Sequence, residues 1–310
     1  IKKILILSAL LIGVFGLMGV IFFGLISPRY EDGYNASLID KTARLKSINE
    51  PKIILVGDSN LVFGIDSALM EEELGMPVVN MGLHGGLGWA FSMEAARQNI
   101  NEGDIVVLSQ VGYSDDDTIP DPALAWITLE NHLDLWPILR ARDWPLMLQA
   151  LPTYALKTIN FAITDPEGSI ASGAYARSEF NKYGDNVFER DSLPGFDFYD
   201  SSVTLTIPKV NDINIDRINE FKKYCDEKGA TLLVTLYPVA MGDVSPSEAE
   251  YEAFEEELKT MTEAPVISEF SDYYFGYDCF FDTKYHLKNE AAKVRTRSLI
   301  RDLENYMSGE

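Results

Sequence analysis

Two short segments near opposite ends of the domain carry residue types that serve in nucleophilic catalysis. Ser59 ends the tripeptide Gly57-Asp58-Ser59, which follows the apolar run Lys52–Gly57. Such a run is typical of a buried parallel strand, so Ser59 stands where a strand ends and a helix begins. His286 follows Asp282 on one short loop near the C-terminus. A serine hydroxyl attacks once a base takes its proton, and a carboxylate must orient that base. The pattern predicts Ser59 as nucleophile, His286 as base and Asp282 as orienter.

Each segment alone also has a structural interpretation. Gly57-Asp58-Ser59 could be a tight turn with a capping serine, and an Asp near a His is common by chance. The occurrence of both in one chain favours catalysis. Asp278 is a second candidate for the orienting carboxylate.

A glycine-rich loop, Gly82 to Gly88, follows the second predicted strand and should face Ser59. His84 lies in this loop, where it could donate to a substrate or bond to the loop backbone. Asp58 and His84 are therefore the candidate substrate-binding residues.

These motifs resemble the SGNH/GDSL hydrolase family in type and order: Gly57-Asp58-Ser59, then Asn80-Met-Gly82, then Asp282 to His286. The resemblance implies that the Ser59 amide and Gly82 are the oxyanion donors. Two features depart from the family pattern. Thr283 stands where the family has its Asp, three residues before the His. The third block, Gly-x-Asn-Asp, is replaced after Ser109: either Gln110 is the substitute oxyanion donor, or the oxyanion hole has one donor fewer.

Within that family the chain looks closest to the membrane-anchored DltD-like and alginate-acetylation-like proteins. The resemblance implies a polysaccharide or cell-wall polymer as acceptor and a membrane-bound O-acyltransferase as a possible partner. The segment Phe180–Asp185 is also similar to that group, without a chemical role that the sequence reveals.

Strands alternating with helices predict an α/β fold, a three-layer α/β/α sandwich with about five parallel strands. The predicted domain covers residues 51–310, after a linker at 28–50, and carries a helical insertion at about 112–208. Tryptophans in the insertion are expected to be buried. The other predicted strands are Pro77–Asn80, Asp104–Ser109, Thr231–Tyr237 and Pro265–Ile267.

An uncharged apolar run of 23 residues, Ile4–Ile26, predicts one transmembrane helix within residues 1–27, because about 20 such residues cross a bilayer. Lys2 and Lys3 place the N-terminus in the cytoplasm by the positive-inside rule. The expectation is a single-pass protein of the plasma membrane with an extracytoplasmic catalytic domain.

The net charge of −22 disfavours nucleic acid as a partner, because such a surface repels phosphate backbones. Cys225 and Cys279 are expected to remain unpaired, and His132 to be structural. The chain has no two histidines at metal-ligand spacing, so neither a metal nor another cofactor is expected.

The leading functional hypothesis is acyl transfer to a cell-envelope polymer, an O-acetylation through an acyl-Ser59 ester. A carbohydrate or lipid acyl esterase is the alternative, because the same acyl-enzyme can react with water. A non-catalytic scaffold for a membrane O-acyltransferase is the third hypothesis.

Overall fold

The computed structural model describes residues 2–27, 29–109, 117–130, 132–165 and 173–309. Its centre is a parallel sheet of four strands in the order β2-β1-β3-β4. Gly57 pairs with Gly82 on one side and with Ser109 on the other, so the carboxyl ends of three strands meet at one edge. The strands are β1 (Ile53–Gly57), β2 (Val78–Gly82), β3 (Ile105–Ser109) and β4 (Thr231–Val234).

Helices cover both faces of this sheet, which gives the three layers that the sequence predicts. Successive strand residues point to opposite faces, and β1 follows this rule. Ile53 and Leu55 lie in one buried cluster, while Ile54 and Val56 lie in another. The helices are α1 (Lys2–Ile21), α2 (Ser37–Ser47), α3 (Ser59–Val62), α4 (Ser67–Leu74), α5 (Gly88–Ala96), α6 (Pro122–Leu129), α7 (Trp144–Thr164), α8 (Asp212–Lys228), α9 (Glu248–Met261) and α10 (Asn289–Ser308).

The two faces are covered by different helices. One cluster joins the sheet to α2, α5, α8 and α9, and the other joins it to α3, α4 and α10. Helix α2 lies within the predicted linker, and its Leu38 and Leu45 are fully buried. This segment therefore belongs to the packed domain.

The fifth predicted strand, Pro265–Ile267, does not extend the sheet as a regular strand. Val266 makes only an isolated parallel bridge with Val234. Two further short strands, β5 (Val239–Ala240) and β6 (Tyr274–Phe275), form a separate two-stranded sheet. Proline at the start of the predicted strand contributes no ladder donor.

The predicted transmembrane helix, and with it the single-pass location in the plasma membrane, is wrong. Among the helices that the structure describes, none is both long and apolar enough for a membrane crossing. The apolar run Ile4–Ile26 is not one α-helix: α1 ends at Ile21, and Phe22–Ile26 form a π-helix. Ser27 then bonds to Tyr154 of α7 at 2.9 Å.

The insertion contains α6, a 3₁₀-helix at Leu133–Ile138 and α7. Trp126 of α6 is buried, and its indole nitrogen donates to the Met147 carbonyl at 2.7 Å. Trp136 and Trp144 are partly buried against the same cluster. These tryptophans therefore hold the insertion against the domain, as expected.

Candidate active site

The nucleophile turn lies at the carboxyl end of β1. Asp58 caps α3 by accepting the Asn60 amide at 2.9 Å. The approach to β3 is close here, since a Cβ on Gly57 would lie 1.8 Å from the Ser109 carbonyl oxygen. Within the described part of the chain the Ser59 amide hydrogen meets no acceptor. The turn thus presents both the Ser59 hydroxyl and a free amide at the edge of the sheet.

The structure brings together the three residues that the sequence predicts for catalysis. Ser59 Oγ lies 2.8 Å from His286 Nε2, although 227 positions separate the two residues. His286 Nδ1 lies 2.8 Å from Asp282 Oδ1. His286 is buried, with 6% of its surface exposed. This is the order of contacts that a serine nucleophile, its base and an orienting carboxylate require.

The loop around His286 explains how Asp282 reaches the imidazole over one extra residue. Thr283 Oγ1 accepts the backbone amides of His286 and Tyr285, at 3.1 and 3.3 Å. These bonds hold the loop in a turn. In this turn Thr283 binds the backbone amides, and Asp282 binds the imidazole ring. Asp278, the second candidate, lies in the 3₁₀-helix Tyr277–Cys279 and makes no described bond to His286.

Two aromatic residues complete the surroundings of the base. The Tyr175 hydroxyl donates to Asp282 Oδ2, the carboxylate oxygen that His286 does not use. Burial acts to raise the pKa of Asp282, but the hydrogen bonds from His286 and Tyr175 outweigh it, and the pKa lies below its usual value. Phe63 stacks on the imidazole with ring centroids 4.2 Å apart. Neither residue belongs to the sequence motifs, so motif reasoning missed both.

Gly82 does not present the oxyanion donor that the sequence predicts. Its amide donates to Asn80 Oδ1 at 2.9 Å, and its carbonyl accepts Lys41 Nζ at 2.6 Å. Burial lowers the pKa of Lys41 to about 7, against the opposing effect of the Asp185 charge. Both the backbone amide and the carbonyl of Gly82 are therefore already hydrogen-bonded within the protein. Gln110, the other predicted donor, lies outside the described residues.

Gly85 has the features that Gly82 lacks. Its backbone lies against Asp58, since a Cβ on Gly85 would be 3.9 Å from the Asp58 Cβ. In the described part of the chain its amide has no acceptor, because Gly85 is the first residue of the 3₁₀-helix Gly85–Leu87. The sequence marked the loop as glycine-rich, but which glycine has a free amide depends on the Asn80 side chain.

The segment Phe180–Asp185 acquires a role in fixing Asn80. The Tyr183 carbonyl accepts the Asn80 amide at 2.8 Å. Asn80 Nδ2 donates to Asp185 Oδ1 at 2.8 Å and to the Leu61 carbonyl at 3.0 Å. Because both acceptors lie on the side of Nδ2, the side-chain oxygen Oδ1 of Asn80 points toward Gly82.

Asp58 and His84, the predicted substrate-binding residues, lie on the two segments that face each other at the site. Asp58 Oδ1 serves the α3 cap and also accepts Asn60 Nδ2 at 2.6 Å. His84 is solvent-exposed on one side, and its Nδ1 accepts the Gly86 amide at 3.0 Å. Partial burial and the proximity of His286 lower the pKa of His84, against the opposing charges of Asp121 and Asp58.

Three further sequence predictions concern residues outside this site. Cys225 is buried, Cys279 is half-buried, and both are free. His132 precedes a 3₁₀-helix of the insertion and has a buried Nε2 without a described partner. Among the described residues no group of three or more histidine, cysteine or acidic side chains could hold a metal ion.

No protein-family model and no curated protein matches this chain. The similarity to SGNH/GDSL hydrolases therefore stays a prediction that rests on the motifs alone.

Proposed function

We propose that this chain is a serine acyltransferase that carries an acyl group as an ester on Ser59 and passes it to a carbohydrate hydroxyl. The observation that supports the proposal is the continuous contact from Ser59 Oγ through His286 to Asp282, with 2.8 Å at each step. A buried imidazole between a hydroxyl and a carboxylate is suited to move the hydroxyl proton.

In the proposed reaction Ser59 Oγ attacks the acyl carbonyl while His286 Nε2 takes the hydroxyl proton. Asp282 holds the Nδ1 proton and so keeps Nε2 ready to accept. The carbonyl oxygen becomes an oxyanion, and its proposed donors are the Ser59 and Gly85 amides. When the tetrahedral intermediate collapses, His286 returns the proton to the leaving oxygen, and the acyl group remains on Ser59.

The second half of the reaction repeats these steps with the acceptor. His286 removes the proton of the incoming hydroxyl, which attacks the acyl-Ser59 ester, and the same proton then returns to Ser59 Oγ. Water can replace the sugar hydroxyl, and the enzyme then acts as an esterase. Exclusion of water from the site decides between these outcomes.

The carbohydrate acceptor is the part of the proposal that the motif resemblance supplies. The possible membrane-bound O-acyltransferase partner comes from the same resemblance, and since the predicted membrane anchor is wrong it forms no part of the proposal. A purely structural scaffold has no use for a buried base held between a serine and a carboxylate. The same geometry therefore favours catalysis over the scaffold hypothesis.

Intact-mass measurement after incubation with p-nitrophenyl acetate tests the acyl-enzyme. We expect a gain of one acetyl group in the wild type and none in Ser59→Ala. Ser298→Ala is the matched control, because Ser298 is a half-buried serine of α10 whose hydroxyl makes only a long bond of 3.5 Å to the Asp272 carbonyl, and its loss should leave the gain unchanged. Added oligosaccharide should then discharge the ester faster than water does. The proposal fails if acetyl, butyryl and fluorophosphonate reagents all leave Ser59 unmodified.

A further inference from the structure

Two fully buried arginines lie beside the candidate active site and outside its chain of proton transfer. Arg190 comes from the segment between α7 and α8, and Arg295 comes from α10. Neither forms an ion pair in the described part of the chain, and their guanidinium groups donate only to carbonyl and side-chain oxygens. A buried charge without a carboxylate partner is costly. Burial lowers the pKa of each to about 10, so both remain charged at neutral pH.

Arg295 joins the nucleophile turn to the helix that follows His286. Its Nη1 donates to the Asn60 carbonyl at 2.7 Å, and its Nη2 donates to Asn60 Oδ1 at 2.7 Å. Nη2 also reaches Ser109 Oγ at 3.1 Å. Asn60 is the residue after Ser59, so these hydrogen bonds attach Arg295 to the turn that carries the nucleophile.

Arg190 makes a second connection between the same two segments. Its Nη2 donates to the Phe63 carbonyl at 2.8 Å, and its Nε donates to the Leu287 carbonyl at 2.7 Å. Phe63 ends the turn that begins at Ser59 and stacks on the imidazole, and Leu287 is the residue after His286. Arg190 therefore bridges the neighbours of the nucleophile and the base directly.

We infer that Arg190 and Arg295 are positioning residues that together fix the distance between Ser59 Oγ and His286 Nε2. The inference rests on the proposed function. Ser59 and His286 lie on segments that the chain brings together from far apart, and each arginine ties one segment to the other. The planar guanidinium donates in several fixed directions at once, whereas a lysine ammonium is a single compact charge. Replacement by lysine keeps the charge and loses the double contact.

The rate at which a fluorophosphonate labels Ser59 measures this alignment. We expect Arg190→Lys and Arg295→Lys each to slow labelling by about 10- to 100-fold, because small misplacements of reacting groups cost this much. The values are normalised to the folded fraction from thermal melts. Arg44→Lys is the control, since Arg44 also donates to a carbonyl, that of Val78, but at the opposite end of β2. It should label at the wild-type rate.

A double-mutant cycle with His286→Ala separates positioning from general stability. Without the imidazole no Ser59–His286 alignment remains to be lost, so each lysine variant should change the residual labelling at high probe concentration by less than about twofold. An equal loss in both backgrounds would overturn the inference, and so would wild-type labelling in both lysine variants. If neither variant folds, the arginines serve the fold and the inference is wrong. Failure of the wild type to label at Ser59 would instead refute the proposed function.

Discussion

The side-chain oxygen of Asn80 accepts the amide hydrogen of Gly82 at 2.9 Å. This bond closes the last residue of β2 to any substrate, because the Gly82 carbonyl is bound to Lys41 as well. Beyond Gly82 the Leu83 amide donates to the Gly57 carbonyl, whereas the amides of His84 and Gly85 meet no acceptor among the described residues, and the Gly85 backbone lies against Asp58. The oxyanion donor on this loop is therefore expected three positions beyond the glycine that the motif indicates.

Replacement of Gly85 by proline should remove that donor while preserving the loop. His84 has φ −70° and ψ 130°, the extended conformation that precedes proline readily. Gly85 begins a 3₁₀-helix, where proline is tolerated because the amide is not used within the helix. We expect kcat/KM for p-nitrophenyl acetate to fall about 100- to 1,000-fold, the effect of losing one oxyanion donor.

Gly85→Ala is the matched control for this prediction. Alanine keeps the amide hydrogen, and its Cβ would meet only the Asp58 Cβ, at the ordinary contact distance of 3.9 Å. Activity within about threefold of the wild type is expected, because the oxyanion donor is retained. Equal losses in the alanine and proline variants would show that the loop matters only for its shape.

The sequence alone was sufficient to predict the catalytic residues where a residue of reactive type stands at the end of a predicted strand or just before a predicted helix. Ser59 follows a run that is buried in any parallel sheet, and His286 stands just before the last helix, so their meeting at the carboxyl edge was predictable. Asp282 was the first candidate for the orienter because it lies on the same short loop as His286, with Asp278 as the second. Their distances agree with that expectation.

The parts that sequence reasoning missed depend on contacts between distant segments. The side-chain oxygen of Asn80 faces Gly82 because Asp185, in the insertion, and the Leu61 carbonyl both accept hydrogen bonds from its Nδ2. Tyr175 reaches Asp282 from the same insertion. The apolar run Ile4–Ile26 has the composition of a membrane helix, yet its last five residues leave the α-helix. The composition of this run shows how many apolar residues follow one another. It does not show where the hydrogen bonding changes from the α-helical to the π-helical pattern.

Tyr175→Phe should weaken the orientation of the base without removing it. Loss of a hydrogen bond to a charged group costs about 1.5 kcal/mol or more, and we expect kcat to fall about tenfold. The Tyr175 bond helps to keep the pKa of Asp282 below its usual value. A lowered carboxyl pKa stabilises the fold above about pH 4 and loses that effect as the pH falls through the folded-state pKa.

The free energy of unfolding of Tyr175→Phe should therefore fall below the wild-type value more at pH 6 than at pH 3, as measured by urea denaturation. Tyr199→Phe is the control, because the Tyr199 hydroxyl likewise donates to a carboxylate, Asp243, at an exposed position. Its activity should equal that of the wild type. A pH-independent difference for Tyr175→Phe would contradict the role assigned to this bond.

Asp185→Asn should destabilise the fold and impair the site. The carboxylate accepts four hydrogen bonds, from the Ser67 amide and hydroxyl, from Asn80 and from Asn181. In asparagine an NH₂ group replaces one carboxylate oxygen, and this group would point at hydrogen-bond donors that it cannot accept. We therefore expect the free energy of unfolding, measured by urea denaturation, to fall by about 2–4 kcal/mol. Asp243→Asn, at an exposed carboxylate, should stay within about 0.5 kcal/mol of the wild type. Equal stability of the two variants would show that the Asp185 network contributes little.

His84 should make the protein less stable as the pH falls below about 6.5. Its pKa is lowered by partial burial and by the charge of His286, so the unfolded chain binds a proton more readily than the folded one does. Protonation then favours unfolding, and stability falls with falling pH.

Titration of the His84 ring by NMR should give a pKa below the usual histidine value, and His286→Ala should raise it because one positive neighbour is removed. In His84→Asn the asparagine oxygen can still accept the Gly86 amide, but its charge does not change with pH. The stability of this variant should therefore fall less than that of the wild type between pH 7 and pH 5. An unchanged His84 pKa in His286→Ala would show that the two imidazoles do not interact across the site.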